Sequence, residues 1–209
     1  MKTLALASLL AAMPMMAQAH EVWVERDGAG PARIYLGEPA KTLPAGGDPE
    51  FEKLKAPKLV PASSASQTRK AGFIEVAAPA GDVRVTDDSV FEPWGEDGKM
   101  EAVIYYARAG RADARIAMPL EIAPTAANGG SFALMKDGKP VPSAKITVIT
   151  PDKWSKAFTA DASGTVAPKL SEKGRYILTA THEETGDLAY KGGKVAKLYH
   201  IATTTFVNE

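Results

Sequence analysis

Cysteine is absent from the 209-residue sequence, and histidine is scarce, with three residues. Without cysteine, packing alone must hold the fold, and no thiolate can act as a metal ligand or nucleophile. An excess of either charge is also missing, because 25 lysines and arginines balance 25 aspartates and glutamates. This balance gives no electrostatic case for nucleic acid or an anionic membrane as a partner.

Long apolar runs are missing too. Nothing approaches the roughly eighteen consecutive apolar residues of a transmembrane helix, so direct membrane insertion is not expected. The N-terminus instead combines Lys2, an apolar run from Leu4 to Ala12, and small residues at Ala17 and Ala19. This three-part pattern predicts an export signal over residues 1–19, with His20 as the first residue of a secreted, periplasmic protein.

Alternation of apolar and polar residues predicts an all-β protein, because no long apolar period of 3.6 residues occurs. A first hairpin is expected around the turn at 27–31. Residues 37–69 are rich in Pro, Gly, Ser and Lys and have weak periodicity. This composition predicts a long surface excursion, with a short helix near residues 49–54. The predicted strands are 20–25, 32–36, 71–77, 82–86, 102–107, 114–122, 132–135, 145–149, 155–159, 175–181 and 198–207.

The stretch Pro124–Gly130 is typical of a connection between domains. The sequence therefore predicts two β-sandwich domains in tandem, an N-terminal β domain over 20–123 and a C-terminal domain over 124–209.

Several motifs carry a resemblance to known families. The segments 137–148, 159–166 and 173–178 resemble the Ig-like, transthyretin-like module of carboxypeptidase regulatory and collagen-adhesin B domains. Together with residues 20–23 and 105–110, nearly the whole chain resembles the domain of unknown function 4198 family. Members of that family are exported bacterial proteins, and some of them are associated with nickel or cobalt uptake. The resemblance therefore implies an exported protein with a role in metal uptake, for which an inner-membrane metal transporter is a candidate partner.

The three histidines form the candidate metal site. Cleavage before His20 gives it a free α-amino group, and amine and imidazole together can chelate a late transition metal. A hairpin turning at Lys191 places His182 directly opposite His200, close enough for both rings to reach one ion. The same register pairs Ala180 with Ala202, Leu178 with Thr204 and Tyr176 with Phe206. The hypothesis is that His20, His182 and His200 bind nickel, cobalt or copper.

Each histidine also has an ordinary interpretation, since a histidine near a strand end is more often solvated or hydrogen-bonded than a ligand. Two other functions therefore stay open. One is a structural or adhesive module that binds a protein partner, because fold does not fix function. The other is a copper-dependent oxidative enzyme, since an N-terminal histidine paired with another histidine also forms the copper brace of lytic polysaccharide monooxygenases.

Further chemistry has weaker support. No nucleophile elbow, phosphate loop or His-Glu-x-x-His pattern occurs, so we expect no enzyme, no catalytic residue and no cofactor-binding residue. An acidic segment from Asp87 to Asp97 lacks the ligand order of a calcium loop. The three tryptophans, Trp23, Trp94 and Trp154, can form the floor of a binding site. Aromatic residues of small β-domains more often pack in the core or at the edge of a sheet. Carboxylates that flank the histidines are Glu21, Glu183 and Glu184.

Overall fold

The computed structural model describes residues 20–209, so the export signal predicted for residues 1–19 lies outside the described residues. In this part the chain forms strands and one 3₁₀ helix, Phe51–Lys53, and no α-helix. The all-β prediction is therefore confirmed. The strands are β1 (Glu21–Arg26), β2 (Ala32–Gly37), β3 (Lys58–Leu59), β4 (Gln67–Lys70), β5 (Phe73–Val76), β6 (Val83–Asp87), β7 (Glu101–Ala109), β8 (Leu120–Pro124), β9 (Phe132–Lys136), β10 (Lys139–Pro140), β11 (Lys145–Ile149), β12 (Ser155–Thr159), β13 (Thr165–Val166), β14 (Gly174–Tyr190) and β15 (Gly193–Asn208).

A seven-stranded sheet forms the centre, in the order β12-β11-β14-β15-β7-β6-β3. Its two halves join where β15 pairs with β7 in parallel, from Lys197 opposite Glu101 to Thr205 opposite Ala109. The central sheet thus draws strands from both sides of the boundary predicted at 123/124. The division into two tandem domains stays a prediction.

Two smaller sheets cover the central sheet, one on each face. Because side chains alternate along a strand, Val103, Tyr105 and Ile201 pack with the sheet β1-β2-β5-β4, on what we call the front face. Tyr106 and Ala202 pack on the opposite, back face, with the sheet formed by β8, β9, β10 and β13. Neighbouring residues of β7 and β15 therefore belong to separate hydrophobic cores.

Consecutive threonines of β15 join these layers. The hydroxyls of Thr203 and Thr205 donate to the carbonyls of Val22 and Val24, and that of Thr204 donates to a carbonyl of β8. Strand β1 is the edge of its sheet, so some of its carbonyls have no ladder partner. These hydroxyls fix β1, and with it the neighbouring His20, against the front face.

A buried ion network ties the central sheet to β8. Oε1 of Glu121, which is fully buried, accepts from Arg84 at 2.8 Å and Arg108 at 2.7 Å. Arg108 also donates to Asp82 at 2.6 Å. Each buried charge here has a partner, which is the condition under which such groups are tolerated.

The strand predicted over 114–122 begins only at Leu120. The backbone of residues 115–118 makes hydrogen bonds to side chains of the ion network instead of to a neighbouring strand. The carbonyl of Arg115 accepts from Arg84, while the amides of Ala117 and Met118 donate to Glu121.

The excursion over 37–69 contains the expected short helix, as the 3₁₀ turn at Phe51–Lys53. It is only partly a surface segment, because Phe51 and Leu54 are buried in the front core. In the described part of the chain, no helix has the length and apolar character that a membrane crossing requires.

Candidate functional site

The long hairpin β14–β15 places His182 directly opposite His200. The predicted pairs Ala180 with Ala202, Leu178 with Thr204 and Tyr176 with Phe206 also occur. The register prediction is therefore confirmed. Directly opposed residues of an antiparallel pair lie on the same face of the sheet, so both imidazoles lie on the back face.

The register depends on a bulge that the sequence did not predict. The turn has Lys191 and Gly192 at its centre, with φ of 47° and 78°, so Tyr190 pairs with Gly193. This two-residue turn with positive φ at both positions is the usual tight hairpin connection. Taken alone, it would bring His182 opposite Ile201. An extra residue at Gly186-Asp187 shifts the pairing by one and restores the histidine pair.

The two rings lie with their centroids 6.3 Å apart, at an angle of 49°. His200 is the buried member, only 5% exposed, and its Nδ1 lies 3.1 Å from the hydroxyl oxygen of Tyr106. Its Nε2 is enclosed and has no hydrogen-bond partner. When Nδ1 carries the proton and donates to Tyr106, the lone pair of Nε2 is free to bind an ion.

Charged side chains surround this pair. Oε1 of Glu184 lies 3.4 Å from Nε2 of His200 and 2.9 Å from Nζ of Lys136. Burial lowers the pKa of His200, against the opposing effect of the Glu184 carboxylate. The hydrogen bond from Lys136 lowers the pKa of Glu184. At neutral pH the site therefore offers a neutral imidazole beside an ionised carboxylate.

His20 lies elsewhere, which corrects the expectation that the three imidazoles share one coordination sphere. Its Nε2 is 3.1 Å from Oδ1 of Asp48, its Nδ1 is 3.4 Å from Oε2 of Glu50, and its ring meets Phe91 edge-on at 6.2 Å. His20, Glu50 and Phe91 line the front face together with Tyr199. His200, the next residue of β15, points to the back face because adjacent side chains of a strand alternate.

Neither the back-face histidine pair nor the group around His20 forms a complete metal site. Among residues 20–209, no three side chains of the ligand types histidine, aspartate and glutamate are already grouped to hold an ion. The back-face pair supplies two imidazoles and needs Glu184 to turn towards the ion, or an external ligand. The two-histidine brace required by the oxidative alternative is not assembled at His20, whose polar neighbours there are carboxylates.

The other candidates from the sequence have mixed outcomes. Trp23 is a core residue, whereas Trp94 and Trp154 are 40% and 60% exposed. The carboxylate of Asp87 is buried and accepts from the amide and hydroxyl of Ser89, both at 2.7 Å, so it shapes the loop. Glu183 lines the front face with His20.

The sequence did not identify Tyr106 or Lys136 as neighbours of the histidine pair. Tyr106 reaches His200 through the parallel pairing of β7 with β15, which joins segments about ninety positions apart in sequence. Lys136 is the last residue of β9, which belongs to a different sheet. No local pattern in the sequence signals either contact.

Comparison of the chain with protein families, with curated proteins and with solved structures gave no match. The resemblance to the domain of unknown function 4198 family stays a prediction.

Proposed function

We propose that this protein is a periplasmic transition-metal-binding protein that acts as an accessory or chaperone in the uptake of nickel, cobalt or copper. The observation that carries the proposal is the cross-strand pair His182 and His200, in which the buried Nε2 atom of His200 makes no hydrogen bond and has the Glu184 carboxylate 3.4 Å away. A buried polar atom without a partner is unfavourable, and a bound ion would satisfy it. The association with uptake rests on the resemblance.

The donor set indicates which metals fit. Two imidazole nitrogens and one carboxylate oxygen suit late transition metals, which bind nitrogen more strongly than calcium or magnesium do. The Tyr106 hydroxyl at Nδ1 orients the His200 ring, a role that hydrogen-bond partners commonly play for histidine ligands. Burial raises the pKa of Tyr106, so its hydroxyl stays protonated and available for that contact.

His20 forms a second, separate group of donors on the front face, with the Asp48 and Glu50 carboxylates. Processing before His20 would add its α-amino nitrogen to this group. We propose it as an auxiliary site, because it supplies one imidazole whose two nitrogens already lie beside carboxylates, whereas the back-face pair supplies two imidazoles.

Isothermal titration of the metal-free exported protein with Ni²⁺, Co²⁺, Cu²⁺ and Zn²⁺ tests the proposal. We expect a stoichiometric back-face site that His182→Ala and His200→Gln each weaken at least tenfold, because each removes one of two nitrogen ligands. His20→Ala, and a variant with one extra residue before His20, are the matched controls and should retain this site. Absence of stoichiometric binding would reject the function. Loss of the site in the His20 variants alone would reject the back-face assignment.

A further inference from the structure

The front face carries an open cleft that the histidine pair does not use, although His20 and Glu50 of the auxiliary group are among the residues that line it. Its volume is about 680 Å³, within the range of small-molecule sites. Four aromatic residues line it, namely Phe91, Trp94, Tyr105 and Tyr199. We call this the aromatic cleft. It lies on the other side of the central sheet from the histidine pair, so its occupant would not contact His182 or His200.

The rings of the cleft are arranged as contact surfaces. Trp94 stacks on Tyr199 with centroids 6.0 Å apart and an interplanar angle of 14°, yet Trp94 stays 40% exposed. Phe91 lies 6.5 Å from Tyr105, at an angle of 50°. A tryptophan held rigidly by stacking and still open to solvent loses little conformational freedom on binding, which favours a role in recognition.

Every formally charged side chain that lines the cleft is a glutamate, namely Glu50, Glu101 or Glu183. Glu50 and Glu183 have lysine partners at the rim, Lys53 and Lys197. Glu101 has no cationic partner in the described part of the chain, and its Oε2 accepts only from the Tyr199 hydroxyl, at 3.1 Å. A free carboxylate between aromatic rings lacks the positive group that would complement it.

The rim lysines show how these rings interact with cations. Nζ of Lys53 lies 4.6 Å from the centroid of Phe91, and Nζ of Lys197 lies 5.3 Å from that of Tyr199. Both distances fall within the range of cation–π attraction. The negative face of an aromatic ring and a carboxylate favour the same kind of ligand. Glu101 would repel an anion, and a neutral apolar molecule would leave Glu101 without a counter-charge.

We infer that the aromatic cleft binds a small organic cation, an ammonium or guanidinium group carried on an apolar body, with the charge beside Glu101 and the apolar part against Trp94 and Tyr199. Such a ligand uses both features of the cleft, because burying a charge requires a partner and burying an apolar body requires apolar surface. This inference is independent of the metal site on the back face.

Titration with benzyltrimethylammonium, followed by calorimetry and Trp fluorescence, tests the inference. We expect saturable binding that Glu101→Gln and Trp94→Ala each weaken roughly 3- to 30-fold, the range of a carboxylate contact or a cation–π contact in a partly desolvated site. Neopentylbenzene, which has the same shape without the charge, should bind at least threefold more weakly. Benzenesulfonate should not bind.

Two controls separate the cleft from other effects. Trp154→Ala removes an exposed tryptophan on another loop and should leave the affinity for benzyltrimethylammonium unchanged. His182→Ala should also leave it unchanged, and Trp94→Ala should leave metal binding at the histidine pair unchanged. Trp94→Phe keeps an aromatic ring and should retain most of the affinity, which distinguishes loss of the contact from loss of the fold. Equal binding of the neutral probe, or no saturation with benzyltrimethylammonium, would overturn the inference.

Discussion

The carboxyl group of Glu21 gives the sharpest test of the physical reasoning. The residue begins β1, and its Oε2 atom is enclosed and has no hydrogen-bond partner in the described part of the chain. Burial raises its pKa from 4.5 to about 7, although a hydrogen bond with Thr179 acts in the opposite direction. The folded protein therefore holds the Glu21 proton at pH values where the unfolded chain releases it.

The magnitude follows from that difference in pKa. Between pH 4.5 and about 7 the folded state binds more protons than the unfolded state, so the free energy of unfolding falls as pH rises through this window. At about 1.4 kcal/mol per pH unit, the loss is about 3 kcal/mol and is complete above pH 7. Glu21→Gln keeps the shape of the neutral acid and removes the ionisation. We therefore expect it to match the natural protein at pH 4.5 and to exceed its stability by about 3 kcal/mol at pH 8.

Urea unfolding of the metal-free protein at both pH values, followed by tryptophan fluorescence, measures this change. The expected gain at pH 8 corresponds to roughly 6 to 12 °C in melting temperature for a protein of this size. Glu75→Gln, a change at a carboxylate on the surface of β5, is the matched control and should show no such pH-dependent gain. A difference between Glu21→Gln and the natural protein that is the same at pH 4.5 and pH 8 would refute the argument, because it would mean that the buried carboxyl does not titrate in this window.

Three further predictions concern residues that hold or surround the site. Glu121→Ala should lower the free energy of unfolding by about 3 to 5 kcal/mol, because it leaves two buried arginines without their shared carboxylate, whereas Glu75→Ala should change it by less than about 1 kcal/mol in the same urea titration. Thr203→Val should destabilise by about 1 to 3 kcal/mol, since the carbonyl of Val22 loses its donor; a neutral result would show that this carbonyl has another partner. Burial lowers the pKa of His200, so stability is lost as pH falls below 6.5, and His200→Gln should lose less melting temperature than the natural protein between pH 7 and pH 5. Equal losses in both proteins would contradict the last prediction.

Much of the local structure follows from the sequence. Alternation of apolar and polar residues determines strands such as β1 and β2, and the turn between them limits the pairing to one hairpin. The same reasoning placed His182 opposite His200, and the structure agrees. The predicted turn was centred on Lys191, whereas the observed turn is centred between Lys191 and Gly192. The bulge at Gly186-Asp187 shifts the pairing back by one residue, so the predicted histidine pair still forms. A bulge leaves almost no mark in a pattern of alternation, so its position was not predictable.

The tertiary structure alone decided which groups surround each histidine. Strand alternation fixes that Tyr199 and His200 face opposite ways, but not which sheet covers each face. Only the parallel pairing of β15 with β7 brings Tyr106 to His200, and only the packing of β1 on the front face places His20 beside Asp48. Sequence alternation is a local property, set by the two-residue repeat of a single strand. The choice of partner strand depends on the total burial of segments that lie far apart in sequence. For this reason the sequence correctly paired His182 with His200 but did not predict that His20 lies on the other face of the central sheet.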